Sequence, residues 1–177
     1  MTVRETRTRF DELLSRFIGK SVLDFNVDSC PLLWAITYKA IELETIEHVE
    51  DLVLGSLVGF DTFCGNDPCM ALYPNGYNIE EILRWEVANG EDKPYLLSEF
   101  LKLRIGTPTT YALVAAIALR STRDCSITIC FTSPTNLVKP NHTWLRLDGD
   151  RIIDLASRSK GKRLPSALKP DREIGLK

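Results

Sequence analysis

No stretch of this chain stays apolar for long. The longest run, Tyr111 to Leu119, is nine residues, about half of what a bilayer-spanning helix needs, so no membrane partner is expected. Also missing are a Walker loop, a dinucleotide-binding fingerprint and a kinase signature, which leaves phosphate chemistry without support. There is no internal repeat and no low-complexity segment. Met1 to Asp11 is charged and lacks the apolar core of a signal peptide, so the expected compartment is the cytoplasm, a host cell's cytoplasm included. Glutamine is absent altogether, and histidine occurs twice, as His48 and His142. The five cysteines are an odd number without a secretory signal, which points to mostly free thiols.

What is present describes one domain spanning residues 1–177, long enough to bury a proper core. With 44% hydrophobic and 26% charged residues, the composition is ordinary for a globular protein. The formal net charge of −2 hides an asymmetry. Between Glu42 and Asp92 there are twelve acidic residues and one basic, whereas Lys139 to Lys177 carries ten basic and five acidic. Solvated helix faces and a basic tail account for this; contact of the basic end with an acidic partner is the sharper reading. No aromatics are interleaved with the basic residues, so nucleic acid is not an expected partner.

The pattern along the chain changes from helical to β. Phe10, Leu13, Leu14, Phe17 and Ile18 fall at helical spacing ahead of Gly19. Ser21 to Val27 is short and mixed, and reads as extended. Asp28-Ser29-Cys30-Pro31 then opens a helix, with Asp28 or Ser29 able to cap it and Pro31 suited to its first turn. Ile46 to Leu57 marks an acidic helix, and residues 61–78 an irregular loop rich in Gly, Pro, Asn and Asp. Helices are expected over Ile79–Ala88, over Pro94–Ile105 with Gly106 closing it, and from Thr107-Pro108 through Leu119, the last buried on most sides. Cys125 to Thr132 is rich in β-formers, and a hairpin follows after a loop. The fold class is therefore α+β: a helical part over about residues 1–120 packed on an antiparallel sheet over about 124–157. A basic, flexible tail is expected over about 158–177, with the last ten residues poorly ordered.

The hairpin, Asn141 to Ala156, is the stretch that could carry chemistry. With Asp148-Gly149-Asp150 as a three-residue loop, Leu147 faces Arg151. His142, Trp144 and Arg146 then share a face with Ile152, Asp154 and Ala156, and Leu145, Leu147, Ile153 and Leu155 form the core side. Asp154 lies diagonal to His142, roughly 7–8 Å away along the backbone, within reach of long side chains. A two-residue loop would put Asp154 on the opposite face. Cys30 stands at a helix start, where unsatisfied amides favour a thiolate. A thiol nucleophile, a histidine base and a carboxylate that orients it are the parts of a covalent acyl-transfer site.

In Ser29-Cys30 with Trp34 along the helix, His142-Thr143-Trp144 and Ile153-Asp154, the chain resembles papain-like cysteine enzymes, and among them the transglutaminase-like group. The resemblance covers about a third of the chain. It implies a papain/transglutaminase-like fold, no cofactor and no metal, and a protein or peptide substrate. Cys30 would be the nucleophile, His142 the base and Asp154 its orienter. Many such enzymes stabilise the oxyanion with a glutamine upstream of the cysteine. Here Asn26, or the Cys30 amide with a neighbouring donor, would serve instead. Trp144 would shield the pair or line the acyl site. The acceptor is water in a protease or amidase and an amine in a transferase.

Other readings compete. Cys64 or Cys69 could be the thiol that His142 serves. His48-Val49-Glu50 with Pro68-Cys69 is similar to part of the zinc nucleobase deaminase signature, but position 72 is Leu where that signature has a second Cys. Cys125 and Cys130 would face opposite sides of a strand, which argues against a shared metal. The rival from another class is a non-catalytic inhibitor or adaptor that binds protein through its acidic helices or basic end.

Overall fold

The computed structural model describes residues 1–17, 21–22, 25–58, 60–62, 95–132, 142–159 and 169–176. The expected helix over Ile79–Ala88, the loop around Cys64 and Cys69, and the loop before the hairpin lie outside the described residues.

The most apolar helix is the centre of the fold. Helix α5 (Pro108–Thr122) follows Thr107, whose hydroxyl accepts from the Thr110 amide in a capping box, and Pro108 fits the first turn. Twelve of its fifteen residues are buried, so it has no solvent face and no need of amphipathic spacing. Helices α1 (Val3–Phe17), α2 (Pro31–Ala40) and α3 (Ile46–Ser56) pack around α5. Phe10, Leu33, Ile36, Val49 and Val53 meet Leu113, Ile117 and Leu119 in one core. Helix α1 starts seven residues earlier than its apolar spacing shows, because Thr2 and Glu5 bond each other in the first turn.

A four-stranded antiparallel sheet closes one side of α5. Its strands are β6 (Ile127–Thr132), β7 (His142–Leu147), β8 (Arg151–Ile153) and β9 (Arg172–Leu176), in the order β8-β7-β6-β9. Ile127, Ile129, Leu145, Leu147, Ile153 and Leu176 are buried in the core, and α5 contacts β7, where Thr109 and Thr143 share a hydroxyl bond of 2.8 Å. Helices and an antiparallel sheet thus make an α+β fold.

Smaller pieces depart from the sequence reading. Residues 21–26 form β1 (Ser21–Val22) and β2 (Phe25–Asn26), and β2 pairs in parallel with β4 (Tyr95–Leu96). The helix expected over Pro94–Ile105 is therefore only α4 (Leu97–Leu103), between β4 and β5 (Ile105–Gly106). Arg104, with φ of 59°, ends it in place of Gly106, which is drawn into pairing with β3 (Asp61–Thr62). The end of the chain is a further correction. Arg172–Leu176 is an edge strand paired with β6, because Leu176 and Ile174 continue the apolar face of the sheet. Among the described residues, no helix is long and apolar enough to cross a membrane.

Candidate active site

The register of the hairpin determines which side chains meet. Leu147 pairs with Arg151 and Leu145 with Ile153, so the loop is the three residues Asp148-Gly149-Asp150. Asp148 and Gly149 take positive φ values of 48° and 89°, which Asp tolerates and Gly adopts freely. The Asp148 carboxylate also accepts from the Ser126 amide at 2.9 Å, and the Asp148 amide donates to the Ser126 carbonyl at 3.0 Å. The loop is therefore pinned to the start of β6, which stops the strand slipping by one residue.

That register puts His142 and Asp154 on one face. His142 Nε2 lies 2.9 Å from Asp154 Oδ2, with only 16% and 6% of the two side chains exposed. The return strand ends one residue before Asp154. Leu155 and Ala156, expected to continue it, begin the short helix α6 (Leu155–Ser159). Asp154 caps that helix: its Oδ1 accepts from the Ser157 amide at 3.0 Å. Burial pushes the Asp154 carboxyl up, but the bonds from His142 and Ser157 and the His142 charge outweigh it and hold it below its usual range. An ionised carboxylate only accepts, so His142 Nε2 carries the hydrogen and Nδ1 is left able to take a proton.

The rest of the histidine is held as firmly. Its amide donates to Thr132 Oγ1 at 3.0 Å across β6, and its ring stacks on Trp144, centroids 6.0 Å apart and planes 23° apart. Trp144 is buried, opposite Cys130 in the register. Arg146, a possible competitor for Asp154, instead pairs with Glu173 of β9 at 2.8 Å.

Cys30 is the residue just ahead of α2, with an extended backbone (φ −142°, ψ 158°) and no capping hydrogen bond from its side chain. The thiol is half-buried, and burial pushes it up; the amides of Leu33 and Leu32 pull it down, and the Asp28 charge adds to the rise. The helix start alone does not make the thiolate that the sequence reading expected, because desolvation outweighs two amides. Asp28 does not cap α2. Its carboxylate accepts from the Ser98 amide at 2.9 Å and from the Ser98 hydroxyl, tying the Cys30 segment to the start of α4. Asn26, half-buried on β2, pairs with Ser21 and Leu96. Cys30 and His142 stand on separate elements, and among the described residues no hydrogen bond joins them.

The remaining sequence candidates divide similarly. Cys30, Cys125 and Cys130 are free thiols, and Cys64 and Cys69 lie outside the described residues. Cys125 precedes β6, so strand alternation does not govern where it faces; burial pushes both its thiol and that of Cys130 up. His48 is exposed on α3, with its amide bonded to the Thr45 cap. Glu50, the proton carrier of the deaminase reading, is engaged by Arg151 and Arg158, each at 2.8 Å. Among the described residues, no group of three or more His, Cys, Asp and Glu side chains is placed to hold a metal. Sequence reasoning missed this ion-pair network, although the acidic run and the basic end were visible; nothing in the order of residues says that they meet. In comparisons with known proteins, no family model, no curated protein and no solved structure matches the chain.

Proposed function

We propose that the chain is a thiol-dependent acyl-transfer enzyme of papain/transglutaminase-like arrangement, acting on a protein or peptide in the cytoplasm. The observation that carries this reading is the His142–Asp154 bond of 2.9 Å. A largely buried imidazole is oriented by a carboxylate through Nε2 and keeps Nδ1 for proton transfer. In the proposed reaction the Cys30 sulfur attacks a carbonyl carbon while His142 Nδ1 takes the thiol proton. The tetrahedral oxyanion is held by amides at the start of α2 and by Asn26. Collapse breaks the bond to the leaving group, which receives the proton from His142, and leaves an acyl-Cys30 thioester. Water or an amine then attacks that thioester, giving up its proton to His142; the C–S bond breaks, the acid or amide product leaves, and His142 returns the proton to the Cys30 sulfur.

Because burial keeps the thiol protonated, deprotonation belongs to the attack step, with His142 as general base. Asp154 stays ionised throughout and favours the imidazolium formed on the way. Trp144 supports the imidazole by stacking.

The same upward push on Cys30 favours a second reading, a non-catalytic binding protein in which the thiol is inert. Site-resolved iodoacetamide labelling of the native protein across pH separates the two. Under the enzyme reading Cys30 labels faster than Cys125 and Cys130, and His142→Ala alters its pH profile. Slow, uniform labelling of all five cysteines, with no effect of His142→Ala, sinks it. Fast labelling of Cys64 or Cys69 instead moves the nucleophile to that residue.

A further inference from the structure

Glu50 of α3 bridges two arginines that flank Asp154 in the chain. Its Oε1 accepts from Arg151 at 2.8 Å and its Oε2 from Arg158 at 2.8 Å. Arg151 opens β8 and Arg158 belongs to the last turn of α6, so the two arms join at Asp154. The outer nitrogens of the arginines reach Glu47 at 2.9 Å and Asp51 at 2.6 Å. Those two acids are about 60% exposed, against 12% for Glu50, so Glu50 is the member that water screens least.

The joint also has chemical consequences. Asp154 spends Oδ1 on the Ser157 amide inside α6 and Oδ2 on His142 in β7. The carboxylate therefore ties the start of α6 to β7 through the joint that follows β8. Swinging α6 carries Oδ1 with it and rotates Oδ2 away from Nε2.

We propose that Glu50 is a positioning residue for the His142–Asp154 pair: by holding Arg151 and Arg158 together it sets the strand-to-helix joint that aims Asp154 at His142 Nε2. This rests on reading that pair as the acid–base part of the thiol site. Surface ion pairs commonly add little stability. A purely structural network would shift the melting temperature and leave the histidine tautomer alone.

The test is therefore the tautomer. Long-range proton–nitrogen spectra of the full chain labelled with 15N-histidine show two imidazoles, assigned with His48→Ala. At alkaline pH wild-type His142 should be the Nε2–H form. Asp154→Ala should lower the ratio of Nε2–H to Nδ1–H about tenfold or more, the ratio that a hydrogen bond to a charged acceptor sustains. Glu50→Ala should lower it about threefold or more with circular dichroism unchanged, and Glu50→Gln, which accepts from one arginine only, should fall between. If Glu50→Ala does not fold, Arg151→Ala and Arg158→Ala each remove one arm and carry the same expectation.

An unchanged ratio in folded Glu50→Ala, or in both arginine variants, overturns the proposal. The readout uses no thiol and no substrate. Absence of acyl-transfer activity removes the proposed function and leaves the Glu50 role standing. A ratio that moves in Asp154→Ala and not in Glu50→Ala removes the Glu50 role alone.

Discussion

Replacing Asp154 with alanine removes two hydrogen-bond acceptors at once, and the structure separates them. Loss of Oδ1 uncaps α6, which costs about 1 kcal/mol. Loss of Oδ2 strands the Nε2 donor of His142, and with 16% of that side chain exposed, water replaces the partner poorly. That term is about 1–3 kcal/mol, so Asp154→Ala should lose about 2–4 kcal/mol in all. Asp154→Asn has one acceptor oxygen for two donors, so it can keep the cap but sets its amide nitrogen against His142 Nε2, and it should lose about 1–3 kcal/mol. A double-mutant cycle with His142→Ala isolates the pair, with an expected coupling of about 1–2 kcal/mol at neutral pH. The pH dependence has a definite sign. Because burial is outweighed by the bonds from His142 and Ser157, the folded carboxyl lies below its unfolded value. Its stabilisation is complete above the ordinary carboxylate value of about 3.9 and is lost as pH falls through the lower folded value. Urea denaturation of the four proteins from neutral pH down into the acid range measures both quantities. A coupling below about 0.3 kcal/mol, or one that persists at the acid end, refutes the reasoning.

In α5, Leu113→Ala should cost about 2–5 kcal/mol in urea titration, because Leu113 is fully buried; a loss under about 1 kcal/mol would contradict the central place of this helix. Gly149→Ala should cost about 1 kcal/mol through its φ of 89° alone, since a new Cβ meets nothing within 4 Å. Finding it neutral would mean that the loop adopts another turn. Deleting residues 172–177 strips β9 from β6 and should promote association through the bared edge, read by light scattering; a monomer of unchanged stability would show that the strand is dispensable. Asp28→Asn removes the charge that helps push the Cys30 thiol up, so iodoacetamide should react faster with Cys30 at neutral pH. A slower reaction contradicts that electrostatic reading.

Local patterns were legible where one short-range interaction dominates. The three-residue loop followed from Asp-Gly-Asp between alternating apolar residues, and with it the shared face of His142, Trp144 and Asp154. Pro31 and Pro108 marked helix starts because their missing donors and restricted φ suit a first turn. The edge strand Arg172–Leu176 could not be read the same way. A charged, glycine-containing terminal segment looks disordered until the β6 edge offers backbone partners.

By itself, then, the sequence determined the α+β order, the buried helix α5 and the phase of the hairpin, since each depends on residues a few positions apart. Tertiary structure decided the electrostatics. Desolvation governs Cys30 more than its helix start does, because burial removes water that no neighbour in the sequence reports. It also decided that the acidic α3 and the basic end of the chain pair with one another through Glu47, Glu50, Asp51, Arg151 and Arg158. Charges about a hundred positions apart along the chain interact only once packing around α5 has brought their elements within a few ångströms, the range over which Coulomb attraction outlasts solvent screening.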